Sequence, residues 1–130
     1  MTMPPLARLF VALGALSAAL AVIFGAFGAH ALRARLSPEM LSVYHTGAQY
    51  QFYHALGLLL IGVIAIQMPN SGGLRLAGFL MLAGIVLFSG SLYVLSITGV
   101  TWLGAITPLG GVAFIAAWIV LAVTVLRAVG

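Results

Sequence analysis

Two sets of polar side chains in this 130-residue sequence have the spacing of a single helix face. The first set is Tyr50, Gln51 and His54, and the second is Ser89, Tyr93 and Ser96. Members of each set lie three or four residues from a neighbour in the set, so each set forms one stripe on its helix. Such stripes can join helices through hydrogen bonds, line a path for a proton or small solute, or hold a cofactor or lipid headgroup. The spacing leaves these three uses open.

The residue types that are missing exclude several kinds of site. The chain has no Cys, Asp or Lys, and Glu39 is its only carboxylate side chain. One subunit therefore has neither a thiol nucleophile nor the paired carboxylates of acid–base catalysis or of a carboxylate-rich metal site. No two histidines have the four-residue spacing of a metal site on one helix. We predict a non-enzymatic protein with no catalytic residues, no metal site and no cofactor; a haem between His30 and His54 is the remaining cofactor alternative.

The composition indicates that lipid is the solvent for most of the chain. Hydrophobic residues make up 64% of it and charged residues 5%, whereas about a quarter of a soluble domain is charged. Five arginines and one glutamate cannot cover the surface that a folded chain of this length exposes. The arginines are scattered singly or as one pair, which favours anchoring at the membrane edge and excludes a nucleic-acid surface.

Four apolar stretches are long enough to cross a bilayer, which takes about 20 residues. They cover about residues 6–32, 47–67, 74–97 and 107–127. We predict an all-α, multi-pass integral membrane four-helix bundle in a single domain over residues 1–130. The uncharged link before the fourth stretch is either a tight interfacial turn or a short re-entrant element.

The connection between the first two spans is the most polar part of the sequence. Ser37, Pro38 and Glu39 are typical of a helix start, with a capping hydroxyl, a proline and an acid in the first turn. A continuous helix from Pro38 to Gln67 would be about 45 Å long, against a hydrocarbon core of about 30 Å. We therefore predict a short amphipathic interfacial helix over about 38–46, followed by a bend at Gly47.

A second candidate site lies at the same edge of the membrane. Its members are His30, Arg33, Arg35 and Glu39. Basic and histidine side chains at this level bind backbone carbonyls or lipid headgroups. The three other arginines lie on the opposite side of the predicted bundle, so the positive-inside rule favours cytoplasmic termini by three arginines against two.

Small residues repeat along the first and fourth spans. The repeats are Gly14, Ala18, Ala21, Gly25 and Gly28 in the first span and Gly110, Ala117 and Thr124 in the fourth. Helices in lipid associate through close backbone approach, so these seams predict tight helix pairs in a compact bundle.

Four ordered motifs resemble a known family. They are Gly25 to Leu32, Tyr44 to His54, Leu87 to Tyr93, and Leu103 to Gly111 followed by Trp118. Together they resemble the YgdD/YwdK-like family of small bacterial membrane proteins, a domain-of-unknown-function group. The resemblance covers nearly the whole chain and implies a four-helix protein of the bacterial inner membrane. It implies no activity and no site residues.

The sequence supports two hypotheses of function. The first is an accessory or scaffolding component of a membrane assembly, in which the small-residue seams bind helices of a membrane-protein partner or of a second copy. The alternative is a small-solute or proton conduit that uses the two polar stripes. Both predict contact with the lipid bilayer and neither involves nucleic acid.

Overall fold

Four helices in the computed structural model, which describes residues 2–128, are long and apolar enough to cross a membrane. They are α1 (Pro5–Leu32), α2 (Pro38–Gln67), α3 (Gly72–Thr98) and α4 (Thr101–Leu126). No strand occurs in this part of the chain. The predicted all-α membrane four-helix bundle is confirmed.

The helix boundaries follow from local sequence. The hydroxyls of Ser37 and Ser71 accept hydrogen bonds from backbone N–H groups in the first turns of α2 and α3. Gly99 ends α3 in the left-handed region, with φ of 74°, which a residue without Cβ adopts at little cost. After this turn, α4 begins with a 3-10 segment, Thr101–Ala105, and continues as the α-helix Thr107–Leu126. The uncharged link is therefore a turn that leads directly into the fourth helix.

The segment predicted as a separate interfacial helix, about 38–46, is the first part of α2. The helix runs without a break from Pro38 to Gln67, so the sequence around Gly47 stays helical and does not separate two helices. At this point Gly47 packs against Leu92 and Tyr93 of α3. All four helices are 26 to 30 residues long, so each extends beyond the hydrocarbon core and α2 is only two to four residues longer than the others.

The helices pack as two pairs around a central contact. Helix α1 lies along α2, α3 lies along α4, and α2 and α3 join the pairs. All four helices contribute to a buried apolar cluster in the half of the bundle that holds the start of α1 and the end of α2. Its largest fully buried members are Phe10, Leu58, Ile61, Leu74 and Met81. The polar side chains lie toward the other half.

The small-residue seam of the first span packs inside the bundle. A Cβ on Gly14 would stand 2.7 Å from the backbone nitrogen of Leu59, and one on Gly62 would stand 2.7 Å from that of Val11. The backbones of α1 and α2 therefore touch at two levels. The predicted tight packing is confirmed, but the expectation that this seam binds another chain is wrong, because α2 already occupies it.

The seam of the fourth span is also occupied by the chain itself. Gly110 lies against the backbone of Phe88, Ala117 is fully buried, and the Thr124 side chain contacts Gly73. These contacts hold α4 on α3. A partner chain must therefore bind at a different face of the bundle.

Two helices contain π-helical segments. These are Ile23–Gly28 in α1 and Ile85–Ser89 in α3. A π turn carries one residue more than an α turn, which displaces backbone carbonyls from their usual partners and is frequent at functional sites. Both segments lie beside the polar side chains of α2.

Candidate functional site

The polar site lies near the midpoints of the spanning helices, which we take as the middle of the bilayer. The midpoint of α2 falls between Phe52 and Tyr53, and that of α4 falls beside Phe114. The ring of His54 stacks on the ring of Phe114 with their centroids 3.5 Å apart, so the two midpoints meet in the bundle. At about 1.5 Å per residue, Gln51 and His54 lie within about 3 Å of the bilayer middle.

Gln51 joins three helices. Its amide nitrogen donates to the carbonyl oxygen of Ser17 in α1 at 2.9 Å, and its amide oxygen accepts from the hydroxyl of Tyr93 in α3 at 2.6 Å. Gln51 is only 4% exposed, so both bonds form away from water. The two predicted stripes therefore meet at Gln51 and Tyr93, which form a hydrogen bond between α2 and α3.

Tyr44, which the polar stripes do not include, bonds the π segment of α1. The hydroxyl of Tyr44 donates to the carbonyl oxygen of Phe24 at 2.7 Å, and its ring lies over Gly28, where a side chain on α1 would collide with it. The rings of Tyr44 and Phe24 each lie 5.3 Å from that of Tyr93. The same carbonyl also accepts the backbone N–H of Ala29, so the Tyr44 hydroxyl adds a second bond to it. Helical spacing alone cannot identify Tyr44, because its partner is a backbone carbonyl of another helix.

His54 is held in one orientation. Its Nδ1 lies 2.7 Å from the carbonyl oxygen of Tyr50, one turn earlier in α2. A carbonyl oxygen only accepts, so Nδ1 carries the proton and Nε2 is left as an acceptor with no partner among the described residues. The ring is 6% exposed and lies between Phe114 and the ring of Tyr50, with Trp118 at 5.8 Å. Phe114 and Trp118 were not identified as site residues from the sequence.

The serines of the α3 stripe differ in their bonding. Ser96 donates to the carbonyl oxygen of Tyr93 in its own helix. Ser91, outside the predicted set, bonds the carbonyl oxygen of Phe88 and the hydroxyl of Thr107 in α4. Ser89 ends the π segment, is 0% exposed, and its hydroxyl has no partner in the described chain. In the predicted α3 stripe, Tyr93 thus bonds another helix, Ser96 bonds its own helix, and the hydroxyl of Ser89 has no partner in the described chain.

Tyr50 lies at the edge of this group. Its ring is 38% exposed and packs on Phe88 of α3, with the ring centroids 4.7 Å apart. Its backbone carbonyl accepts the hydrogen bond from His54, and its ring lies nearly parallel to the ring of His54. Of the six predicted site residues, Gln51 and Tyr93 therefore bond each other across the two stripes, whereas His54 and Ser96 bond carbonyls of their own helices.

The membrane-edge cluster lies far from the polar centre. Its members His30, Arg33, Arg35 and Glu39 are all exposed, at the end of α1, in the connection and in the first turn of α2. Their binding to backbone carbonyls or lipid headgroups stays a prediction. Among the described residues, no group of three His, Cys, Asp or Glu side chains is arranged to hold a metal ion, and no pocket is found there.

A lateral face of α2 also carries polar groups at membrane depth. The amide nitrogen of Gln49 donates to the hydroxyl of Tyr53 at 2.5 Å, and both residues are exposed. Tyr53 lies at the midpoint of α2 and Gln49 about 5 Å from it. Leu56, Leu60 and Val63 continue the same face. We call the strip formed by Gln49, Tyr53, Leu56, Leu60 and Val63 the α2 face.

The helices and their polar centre define a multi-pass bacterial membrane protein, and comparison with known proteins gives its family. The protein-family model described as "Protein of unknown function (DUF423)" matches residues 24–111. The chain is 53% identical to the UPF0382 membrane protein YwdK of Bacillus subtilis (strain 168) over 120 residues, which are 92% of this chain and 98% of that protein. It is 47% identical to a UPF0382 membrane protein of Staphylococcus haemolyticus (strain JCSC1435) over 123 residues, which are 95% of this chain and 99% of that protein. No solved structure matches.

The chain belongs to this uncharacterised UPF0382/DUF423 membrane protein family. The predicted YwdK-like resemblance and the predicted membrane location are thereby confirmed. The family is one of unknown function, so the site must be interpreted from its own geometry.

Proposed function

We propose that this protein is a non-enzymatic accessory or scaffolding component of a membrane assembly, and that it binds its partner through the α2 face. The observation that carries the proposal is the position of Gln49 and Tyr53. Both are exposed on the outside of the bundle within about 5 Å of the bilayer middle. Polar groups on the lipid-facing surface are expected near the interfaces and not at this depth.

The bond between Gln49 and Tyr53 leaves polar groups without partners. A Gln side chain has two amide hydrogens and a carbonyl oxygen, and the bond to Tyr53 uses one hydrogen. The second hydrogen, the carbonyl oxygen and the hydroxyl hydrogen of Tyr53 face lipid in an isolated bundle. Because lipid tails accept and donate no hydrogen bonds, leaving these groups unpaired is costly. A partner helix that bonds them removes this cost.

The interior of the bundle supports a structural role. Gln51 bonds helices on two sides, and the small-residue seams bring backbones together within the chain. These contacts make α1 to α4 one compact unit. A compact unit with a polar lateral face is suited to positioning another membrane helix.

We predict that a photoreactive amino acid in place of Tyr53 forms a protein adduct in native membranes. The same amino acid in place of Ile115, an exposed residue near the middle of α4, is the control and should react with lipid. Adducts would be resolved by gel and mass spectrometry. Lipid adducts alone at both positions would contradict the proposal, because Tyr53 would then have no protein neighbour.

The second candidate function, a proton or small-solute conduit, is favoured by one observation. His54 lies near the bilayer middle with Nε2 unpartnered among the described residues, and Ser89 has a free buried hydroxyl in a neighbouring helix. Titratable or polar groups at this depth are typical of proton relays.

This candidate predicts proton flux into liposomes that contain the protein. His54→Ala should abolish the flux, and His45→Ala, a change at an exposed histidine near the start of α2, should leave it unchanged. A pH-sensitive dye in the lumen would measure the rate. Equal flux in the parent protein, the His54 variant and empty liposomes would eliminate the conduit.

A further inference from the structure

We infer that the partner at the α2 face is a second copy of this chain, in a parallel dimer whose twofold axis runs along the membrane normal. The inference rests on the proposed function, since it names the partner of the same face. It follows from the depth, the hydrogen-bonding chemistry and the shape of that face.

Depth is the first reason. Copies of one chain insert in the same orientation, so their α2 helices are parallel and Gln49 lies at the same level in both. A helix of another protein satisfies Gln49 only when it carries a polar group within a few ångströms of this level. A second copy meets this condition necessarily.

The chemistry of Gln49 is self-complementary. Its carbonyl oxygen accepts and its remaining amide hydrogen donates. Across a twofold axis, the free amide hydrogen of each copy donates to the carbonyl oxygen of the other, which forms two equivalent bonds. Polar amides are known to join membrane helices in this way. The bond to Tyr53 within each copy holds the amide in position for the exchange.

The shape of the face suits a parallel pair. Its residues are separated by four, three, four and three residues, which is the heptad spacing of helices that pack with left-handed supercoiling. Tyr53, Leu56, Leu60 and Val63 are 46–48% exposed, so the strip is accessible along this length. From Gln49 to Gln67 the helix has no charged side chain, and two copies approach without repulsion.

Cross-linking through introduced cysteines tests the geometry directly, because the chain has no Cys of its own. Leu56→Cys should give a disulfide-linked dimer in membranes treated with a mild oxidant. Ile115→Cys and Leu16→Cys, on exposed faces of α4 and α1, should remain mostly monomeric. The full chain is used throughout, and gel mobility measures the linked fraction. Equal linkage at all three positions, or linkage only at Leu16 or Ile115, would overturn the inference.

A second variant tests the role of the amide. Gln49→Leu should weaken dimerisation about tenfold, as expected from the loss of two interhelical hydrogen bonds of average strength. Gln67→Leu makes the same chemical change on the same face at the end of α2, where water satisfies the side chain, and dimerisation should be unchanged. Energy transfer between two labelled populations in liposomes measures the affinity. Equal affinity in the two variants would refute the role of Gln49.

Two differently tagged copies separate this inference from the proposed function. With both copies expressed together, the photoreactive adduct at Tyr53 should carry both tags. An adduct with one tag and a different protein would overturn the dimer and retain the accessory role. Lipid adducts alone would refute both.

Discussion

Replacing Gly14 with Ala is expected to lower the free energy of unfolding by about 1–3 kcal/mol, a range typical of overpacked cores. The added Cβ would stand 2.7 Å from the backbone nitrogen of Leu59 and 2.9 Å from the carbonyl oxygen of Ala55. Backbone atoms in a helix cannot rotate away as a side chain can. The variant must therefore move α1 away from α2 along much of their shared length, which loses van der Waals contact that lipid does not replace.

Gly90→Ala is the matched control for this prediction. Gly90 lies within α3 with helical φ, and a Cβ there meets nothing within 4 Å. The control should be as stable as the parent chain or slightly more stable, since Ala favours the helix. Unfolding in mixed micelles with increasing sodium dodecyl sulfate, followed by circular dichroism, measures both variants. Equal loss in the two would show that helix propensity and not close packing determines the result.

Replacing Gln51 with Leu is expected to lower the free energy of unfolding by about 1–3 kcal/mol, the cost of leaving buried polar groups unpaired. The change removes the bonds to the Ser17 carbonyl and the Tyr93 hydroxyl, and leaves the hydroxyl without its acceptor near the bilayer middle. Gln67→Leu, at the exposed end of the same helix, should have no measurable effect.

A double-mutant cycle with Tyr93→Phe isolates the bond between Gln51 and Tyr93. The coupling energy should be about 0.6–1.7 kcal/mol, the range found for hydrogen bonds between membrane helices. The same micelle titration supplies the four free energies. If the two single losses add to the double loss within about 0.3 kcal/mol, the side chains do not interact and the bond is not a determinant of stability.

The seams and stripes show which predictions the local pattern supports. Helical periodicity correctly identifies Gly14 and Gly110 as points of close approach, because only a residue without a side chain lets two backbones touch. It cannot identify which helix makes the contact, since every helix in lipid presents a similar apolar surface. The assembly hypothesis assigns both seams to another chain. In the structure, α2 packs against the seam of α1 and α3 packs against the seam of α4.

The polar residues show a similar division. The stripe pattern correctly groups Gln51 with Tyr93, but it does not identify Tyr44 or Phe114, which complete the site. Tyr44 bonds the carbonyl of Phe24 in the π segment of α1, and a π turn has no periodic signal in the sequence. Phe114 belongs to an apolar helix whose facing residues become known only when α4 packs beside α2.

The solvent, the four spans, the helix start at Ser37 and the family could be read from the sequence, because composition, capping chemistry and motifs are local properties of the chain. Only the packed structure shows that α2 is one continuous helix and that the small-residue seams are internal. It also shows that Gln49 and Tyr53 face outward near the midpoint of α2. These properties depend on which helix faces are covered, and in lipid that depends on close packing between distant segments and not on hydrophobicity.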